Sequence, residues 1–219
     1  LEYIVGIQVV RRAFDIFGAI TIVPGALGAF RKSYLQEAGA YSKQTIVEDF
    51  DQTIKLLKAG LITQGSSKAA AYTEAPETIH EFIKQRKRWY RGNLQVIMKH
   101  SDVIMNPRFG NLQRIAFPYL MIALMITPMI GIVGTVNAIV GVIQGEGWYV
   151  LQVTAIFATV HFLMAALAIR IDQEDPKLLW YVVPMIFWYK QLVDILLIRA
   201  MIEHTIKKKA LWTSVKRTG

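Results

Sequence analysis

Two short stretches hold the residue types that can do chemistry. IVEDFD (46–51) places Glu48, Asp49 and Asp51 within six positions, and QRKRWYRG (85–92) places Arg86, Lys87, Arg88 and Arg91 beside Trp89 and Tyr90. A carboxylate near an acceptor hydroxyl can take its proton as a general base. A guanidinium can hold a phosphate through two hydrogen bonds, and an indole can lie against the apolar face of a sugar ring. Each stretch also has a plainer reading. Acids are favoured in a helix's first turn by the dipole, and Thr45 with Glu48 has the spacing of a capping box. Asp49 is not needed for that box. Adjacent helical residues diverge by about 100°, so Glu48 and Asp49 flank one bond poorly, as a hydrolytic pair must; transfer with a single base fits better. The basic stretch, taken alone, fits an interfacial helix on lipid headgroups. A third stretch, VPGALGAFRKS (23–33), has the glycine pattern of neither a P-loop nor a dinucleotide fingerprint and reads as a tight turn.

The elements that must position these residues follow from spacing. Apolar residues at helical intervals predict a helix over 1–17, ending at Gly18. ITIV (20–23) reads as a buried strand, and a short helix near 32–38 stops at Gly39. Val47, Phe50, Ile54, Leu57 and Leu61 form one stripe, with Gly60 as the stop. Lys68–Tyr72 reads as a strand, and Pro76 precedes a helix running from about Glu77 past Met98. On that helix Ile79, Phe82, Ile83, Tyr90, Leu94 and Ile97 share one side, and Gln85, Arg88 and Gly92 share the other. Gly92 there leaves room for a close approach. Helix and strand alternate, which is an α/β pattern.

Composition narrows the function. There is no cysteine among the 219 residues, which excludes disulfides, thiolate nucleophiles and Cys-based zinc sites. The histidines His80, His100, His161 and His204 show no metal-binding spacing. The formal charge is +9, yet 53% of residues are hydrophobic and no nucleic-acid recognition motif is present. Three apolar stretches, roughly 115–143, 148–168 and 178–201, approach the ~20 residues a spanning helix needs. The third carries Lys190 and Asp194, four apart and able to pair; a pore-lining role stays open. Three full crossings set the basic tail opposite the basic first half, against the positive-inside tendency, so one stretch is expected to be interfacial or re-entrant.

The order VPGALGAFRKSYLQEAG, TIVEDFDQTIKLLKAG, YTEAPETIHEFIKQRKRWYRGNLQ resembles the second half of processive family 2 glycosyltransferases. These are the membrane synthases of poly-N-acetylglucosamine, chitin, hyaluronan and cellulose. The likeness is close over about 1–100 and only general in the apolar part. It implies an α/β fold: the second half of a Rossmann-like nucleotide-sugar transferase (GT-A) domain, followed by transmembrane helices. It implies roles at matching positions. Asp49 is the general base, with Glu48 beside it. Gln85 and Arg88 lie near the nucleotide diphosphate and acceptor, and Trp89 is the rest for the acceptor sugar. Gly25 and Ala26 fall in the loop lining the acceptor site. In the tail, Trp212, Lys216 and Arg217 are candidates for closing over the nucleotide. Mg²⁺ or Mn²⁺ is expected on a DxD motif upstream of Leu1, and the piece alone is expected to be inactive. The implied domains are a cytoplasmic transferase part (1–105, with its interface helix at 77–100), a transmembrane region (106–201) and a basic tail (202–219). The implied partners are a UDP-sugar, the growing polysaccharide, the bilayer of a plasma membrane and possible accessory membrane subunits, with no nucleic acid. UDP-GlcNAc is the expected donor. Two alternatives stand beside this: a non-processive family 2 enzyme adding one sugar to a lipid carrier, and a non-enzymatic membrane scaffold.

Overall fold

The computed structural model describes residues 1–66, 69, 71 and 73–208. Helix α1 covers 2–16, with π-helical turns in its middle; α2 is Lys32–Glu37, α3 Glu48–Lys58 and α4 Ile79–Lys99. Three long apolar helices follow: α5 (Leu112–Ile143), α6 (Gly147–Asp172) and α7 (Pro176–Thr205). All three are long and apolar enough to cross a membrane. Contacts divide the chain into two compact units. One joins Leu1–Ala13 to Thr127–Ile195; the other joins Phe14–Ile126 to the described residues from Leu196 on. Leu1 and Val5 pack against a buried cluster of Ala165, Val182 and Ile186, which draws the first residues to the apolar helices.

The strand expected at Ile20–Val23 does not form. Among the described residues the only strand-like pairing is an isolated parallel bridge between Ala19 and Thr63. Two of the segment's backbone groups bond to hydroxyls instead: Thr63 Oγ1 donates to Ile20 O (2.9 Å), and Val23 N donates to Thr53 Oγ1 (3.1 Å). The second expected strand, 68–72, lies largely outside the described residues, as do Trp212, Lys216 and Arg217 of the tail.

The helix starts are instructive. α3 begins at Glu48 itself, with Val47 as an N-cap that makes no side-chain cap bond. Thr45 Oγ1 is buried and has no partner, so the expected Thr45–Glu48 capping box does not form. The same Thr-x-x-Glu spacing does work at α4, where Thr78 Oγ1 accepts from Glu81 N at 3.2 Å. Between α5 and α6 the chain turns through Gly145, whose φ of 88° is left-handed, while Glu146 N closes back on Gly141 O at 2.8 Å.

In the unit containing α6, an ion pair sits on apolar α7: Lys190 Nζ to Asp194 Oδ2, 2.5 Å. It faces Gly131 of α5. A Cβ at Gly131 would collide with Asp194 Oδ2 and stand 2.5 Å from Lys190 Nζ. The pair is thus seated in a notch left by a missing side chain.

Candidate active site

The second unit holds every described residue of the expected site. α3 is the organiser. Its inner face buries Phe50, Ile54 and Leu57, and its first turn carries Glu48 and Asp49 outward. The loop 23–25 is tied to α3 at two points. Thr53 Oγ1 donates to Asp49 O (2.7 Å) and accepts from Val23 N; Gly25 N donates to Asp49 Oδ2 (3.0 Å). Phe50 N donates to Asp49 Oδ1 at 2.8 Å. One N–H on each oxygen fixes the carboxylate and leaves each a second acceptor site. Gly25 lies against that carboxylate, its Cβ position 3.5 Å from Asp49 Oδ2, and Ala26 is the next, exposed residue.

These groups open on a cleft of about 300 Å³ lined by Val23, Pro24, Gly25, Gly28, Phe30, Tyr41, Glu48 and Asp49. Gly28 is required by packing there: a Cβ would stand 2.7 Å from Val23 Cγ1 and 3.1 Å from Pro24 O. The structure therefore brings together Asp49, Glu48 and Gly25, while Ala26 follows Gly25 without lining the cleft.

Gln85, Arg88 and Trp89 lie on α4. That helix meets α3's approach at Gly92, where a Cβ would stand 2.6 and 2.7 Å from the Val47 methyls and 3.1 Å from Ile46 Cγ1. The room expected at Gly92 for an incoming ligand is filled by Val47 and Ile46. Ile46 N also donates to Gln95 Oε1 at 3.3 Å. Arg88 and Gln85 share the Gly92 face, one and two turns earlier, about 6 and 10 Å along the axis. Gln85 Oε1 is buried without a hydrogen-bond partner. The Arg86 guanidinium lies over the Trp89 indole (4.7 Å to its centre) and over Phe82 (5.0 Å). The basic stretch is not one uniform positive face. Lys87 Nζ reaches Glu203 Oε1 at 2.8 Å, and Arg91 Nη1 reaches Glu203 Oε2 at 3.4 Å.

Several participants were invisible to sequence reasoning. Phe30 and Tyr41 line the cleft, and nothing in their spacing announces it. Thr53 was read only as part of a helix. Asp51, the third carboxylate of IVEDFD, turns inward and is fully buried. It pairs with Lys99 (2.9 Å) and His100 Nε2 (2.8 Å), with Lys55 at 3.6 Å. Burial opposes its charge, but hydrogen bonds and charges from Lys99 and His100 outweigh that and hold its carboxyl below the usual range. Burial dominates at His100 and holds the imidazole below its ordinary value, against the pull of Asp51. A neutral ring donates from Nε2 to Asp51 and accepts at Nδ1 from Lys58, 3.4 Å away.

The divalent ion implied by the resemblance finds no ligand set here. Among the described residues no three His, Asp or Glu side chains come together to hold a metal.

Comparison with known proteins bears on the whole arrangement. The profile of the glycosyl transferase family group 2 matches residues 5–189. The chain is 31% identical over 80 residues to the "Probable glycosyltransferase YdaM" of Bacillus subtilis, covering 36% of this chain and 19% of that protein. It is 30% identical over 99 residues to the poly-beta-1,6-N-acetyl-D-glucosamine synthase of Staphylococcus epidermidis, covering 45% of this chain and 24% of the synthase. The Staphylococcus aureus synthase is 28% identical over the same length. The matched stretches thus span only 19 to 24% of the length of these relatives. No solved structure matches it. A family match over most of the chain, with the paired acids and the Gly25 loop joined in one cleft, establishes that the chain belongs to glycosyl transferase family group 2.

Proposed function

We propose that this chain is the acceptor-side half, with the membrane region, of an inverting glycosyltransferase that elongates a polysaccharide from a UDP-sugar, UDP-GlcNAc being the favoured donor. The observation that carries the reading is Asp49. Its carboxylate is fixed by Gly25 N–H at the edge of a cleft large enough for a sugar ring. The likeness to poly-beta-1,6-N-acetyl-D-glucosamine synthases supports the sugar. The transferase part (1–105) is assigned to the cytoplasm, 106–201 to the bilayer and 202–219 to a basic tail, with the polymer leaving past the apolar helices.

The chain's own residues are assigned the acceptor side of the reaction. A terminal hydroxyl donates a hydrogen bond to Asp49. Its oxygen attacks the anomeric carbon as the bond to the diphosphate oxygen breaks on the opposite face. The proton passes to Asp49, and the diphosphate leaves with the electron pair. Because Asp49 is held by N–H groups on both oxygens, it cannot swing away as charge is redistributed. Gln85 and Arg88 are assigned to the diphosphate end and Trp89 to the acceptor chain.

The test uses full-length protein in membrane vesicles with labelled UDP-GlcNAc or UDP-glucose. Asp49→Asn keeps the size, cannot take a proton and gives up one of the two N–H contacts. Transfer is expected to fall about 10²–10⁴-fold, with substrate affinity within about threefold. Incorporation that survives Asp49→Asn removes the assignment. A product of one sugar on lipid selects a non-processive enzyme.

A further inference from the structure

We propose that Glu203, close to the end of α7, is a positioning residue for the transfer reaction: it fixes the roll of α4 and so the place of Gln85 and Arg88. This rests on the function proposed above, which assigns those two side chains to the diphosphate, and deepens it.

Among the described residues of the second unit, one buried carboxylate collects four cations. Lys87 and Arg91 reach Glu203 from α4 at 2.8 and 3.4 Å. Arg199 reaches it from one turn earlier on α7 at 3.2 Å, and Lys208 from just beyond the helix at 3.9 Å. The Glu203 and Arg91 side chains are 7% and 8% exposed, whereas Arg199 and Lys208 are 58% and 57% exposed. Exposed ion pairs contribute little, and a buried charge depends on its buried partners. The α4 cations are therefore the ones that matter. The chain beyond α7 closes over the same place. Lys207 turns back with a left-handed φ of 53°, Lys208 N donates to Glu203 O at 3.0 Å, and Arg91 donates to the Lys208 carbonyl.

Lys87 and Arg91 are one turn apart and share a stripe of α4. Gly92, pressed against Val47 and Ile46, lies about 120° further round the helix. A helix held at two points so far apart on its circumference cannot turn about its axis. Arg88 falls between the two, and Gln85 about 20° beyond Gly92. The Gly92 contact limits how near α4 comes to the start of α3, but it is steric and does not attract. Glu203 supplies the attraction. A roll of about 20° carries a side-chain tip about 6 Å from the axis through about 2 Å, which breaks a hydrogen bond.

The experiment titrates UDP into the full-length protein in lipid nanodiscs by calorimetry, with the melting temperature of each variant recorded. Glu203→Gln keeps the size and loses the charge. It is expected to weaken UDP about tenfold, the worth of one misaligned charge-assisted hydrogen bond. The sign is diagnostic, because removing a carboxylate strengthens binding of an anion if only charge at a distance matters. Glu203→Asp keeps the charge and is expected to stay within about threefold, since the flexible Lys87 stem can follow it. Arg199→Ala, at an exposed partner, is expected to stay within about twofold. Arg88→Met is the reference and is expected to lose at least as much as Glu203→Gln. Where Glu203→Gln does not fold, Lys87→Met decides: it must weaken UDP more than Lys84→Met, which removes an exposed charge from the same helix. A Glu203→Gln protein with fewer binding sites but the wild-type dissociation constant overturns positioning, as does tighter binding. Unchanged UDP affinity in Glu203→Gln, with a loss in Arg88→Met, overturns the role of Glu203 alone. Unchanged affinity in both, or a wild type that binds no UDP, overturns the diphosphate assignment above and this proposal with it.

Discussion

At the scale of single residues, three carboxylates within four positions have three fates. Glu48 faces solvent at the cleft, Asp49 is fixed at its edge, and Asp51 is fully buried in an ion cluster. Helical rotation sets Asp49 and Asp51 about 200° apart; Glu48 and Asp51 are only about 60° apart and differ because Glu48 stands at the exposed first residue and Asp51 nearly a turn further in. The buried cluster makes stability depend on pH. Both Asp51 and His100 hold protons less firmly folded than unfolded, so their contribution is complete above the unfolded values and is lost as pH falls. The His100 part is lost as pH drops below its ordinary 6.5, and the Asp51 part only below 3.8. The melting temperature is expected to fall between pH 7 and pH 5, and His100→Gln to flatten that slope. An unchanged slope in the variant assigns the acid sensitivity to other groups. The acids were legible as chemistry from their type and spacing, and so was the Gly25 loop. Phe30 and Tyr41 were not, because an aromatic in a loop becomes a wall only when a distant helix end closes the cleft beside it.

At the scale of elements, the joint between α3 and α4 is set by one glycine. Gly92 lies on a helix and needs no unusual backbone; it is required because Val47 and Ile46 approach it too closely for a side chain. Gly92→Ala is expected to cost about 1–3 kcal/mol, since neither the α4 backbone nor the buried Val47 can yield easily. Val47→Ala should restore part of that loss, and chemical denaturation of the two single variants and the double variant measures the coupling. A double variant whose loss is the plain sum of the two would place the strain elsewhere. Helix existence was readable from apolar periodicity at every one of these elements. Helix starts were less so. Thr-x-x-Glu occurs before both α3 and α4, and only Thr78 caps, because its backbone is extended (φ −118°, ψ 152°) immediately before the first helical residue. Thr45 is two positions too early, with Val47 taking the N-cap place. The strand at 20–23 was misread because its alternation is apolar while two of its backbone hydrogen bonds go to the Thr53 and Thr63 hydroxyls, partners that no local pattern reveals.

At the scale of the whole molecule, the apolar spans were the most legible feature, their observed ends falling within a few residues of those expected from composition. What composition could not give was which distant residues share a unit. Leu1 and Val5 join the apolar helices through side-chain packing that no count of hydrophobic residues specifies. The Lys190–Asp194 pair was legible as an i, i+4 pair, but its seat against Gly131 was not, since α5 and α7 are separated by a whole helix in the chain. That seat has a consequence for how this lineage can change. A side chain at position 131 would push the Asp194 carboxylate and the Lys190 ammonium out of their present seats, so enlargement at 131 goes with a shifted or absent pair. Across family members whose apolar helices align with these, the three positions should behave as a single inherited character. Glycine at 131 should accompany the charged pair, and a larger residue at 131 should accompany its joint loss. An alignment in which bulky residues at 131 coexist freely with both charges would show that the notch is incidental. If the correlation holds, positions about 60 residues apart in sequence share one history because a single missing methyl makes space for a salt bridge.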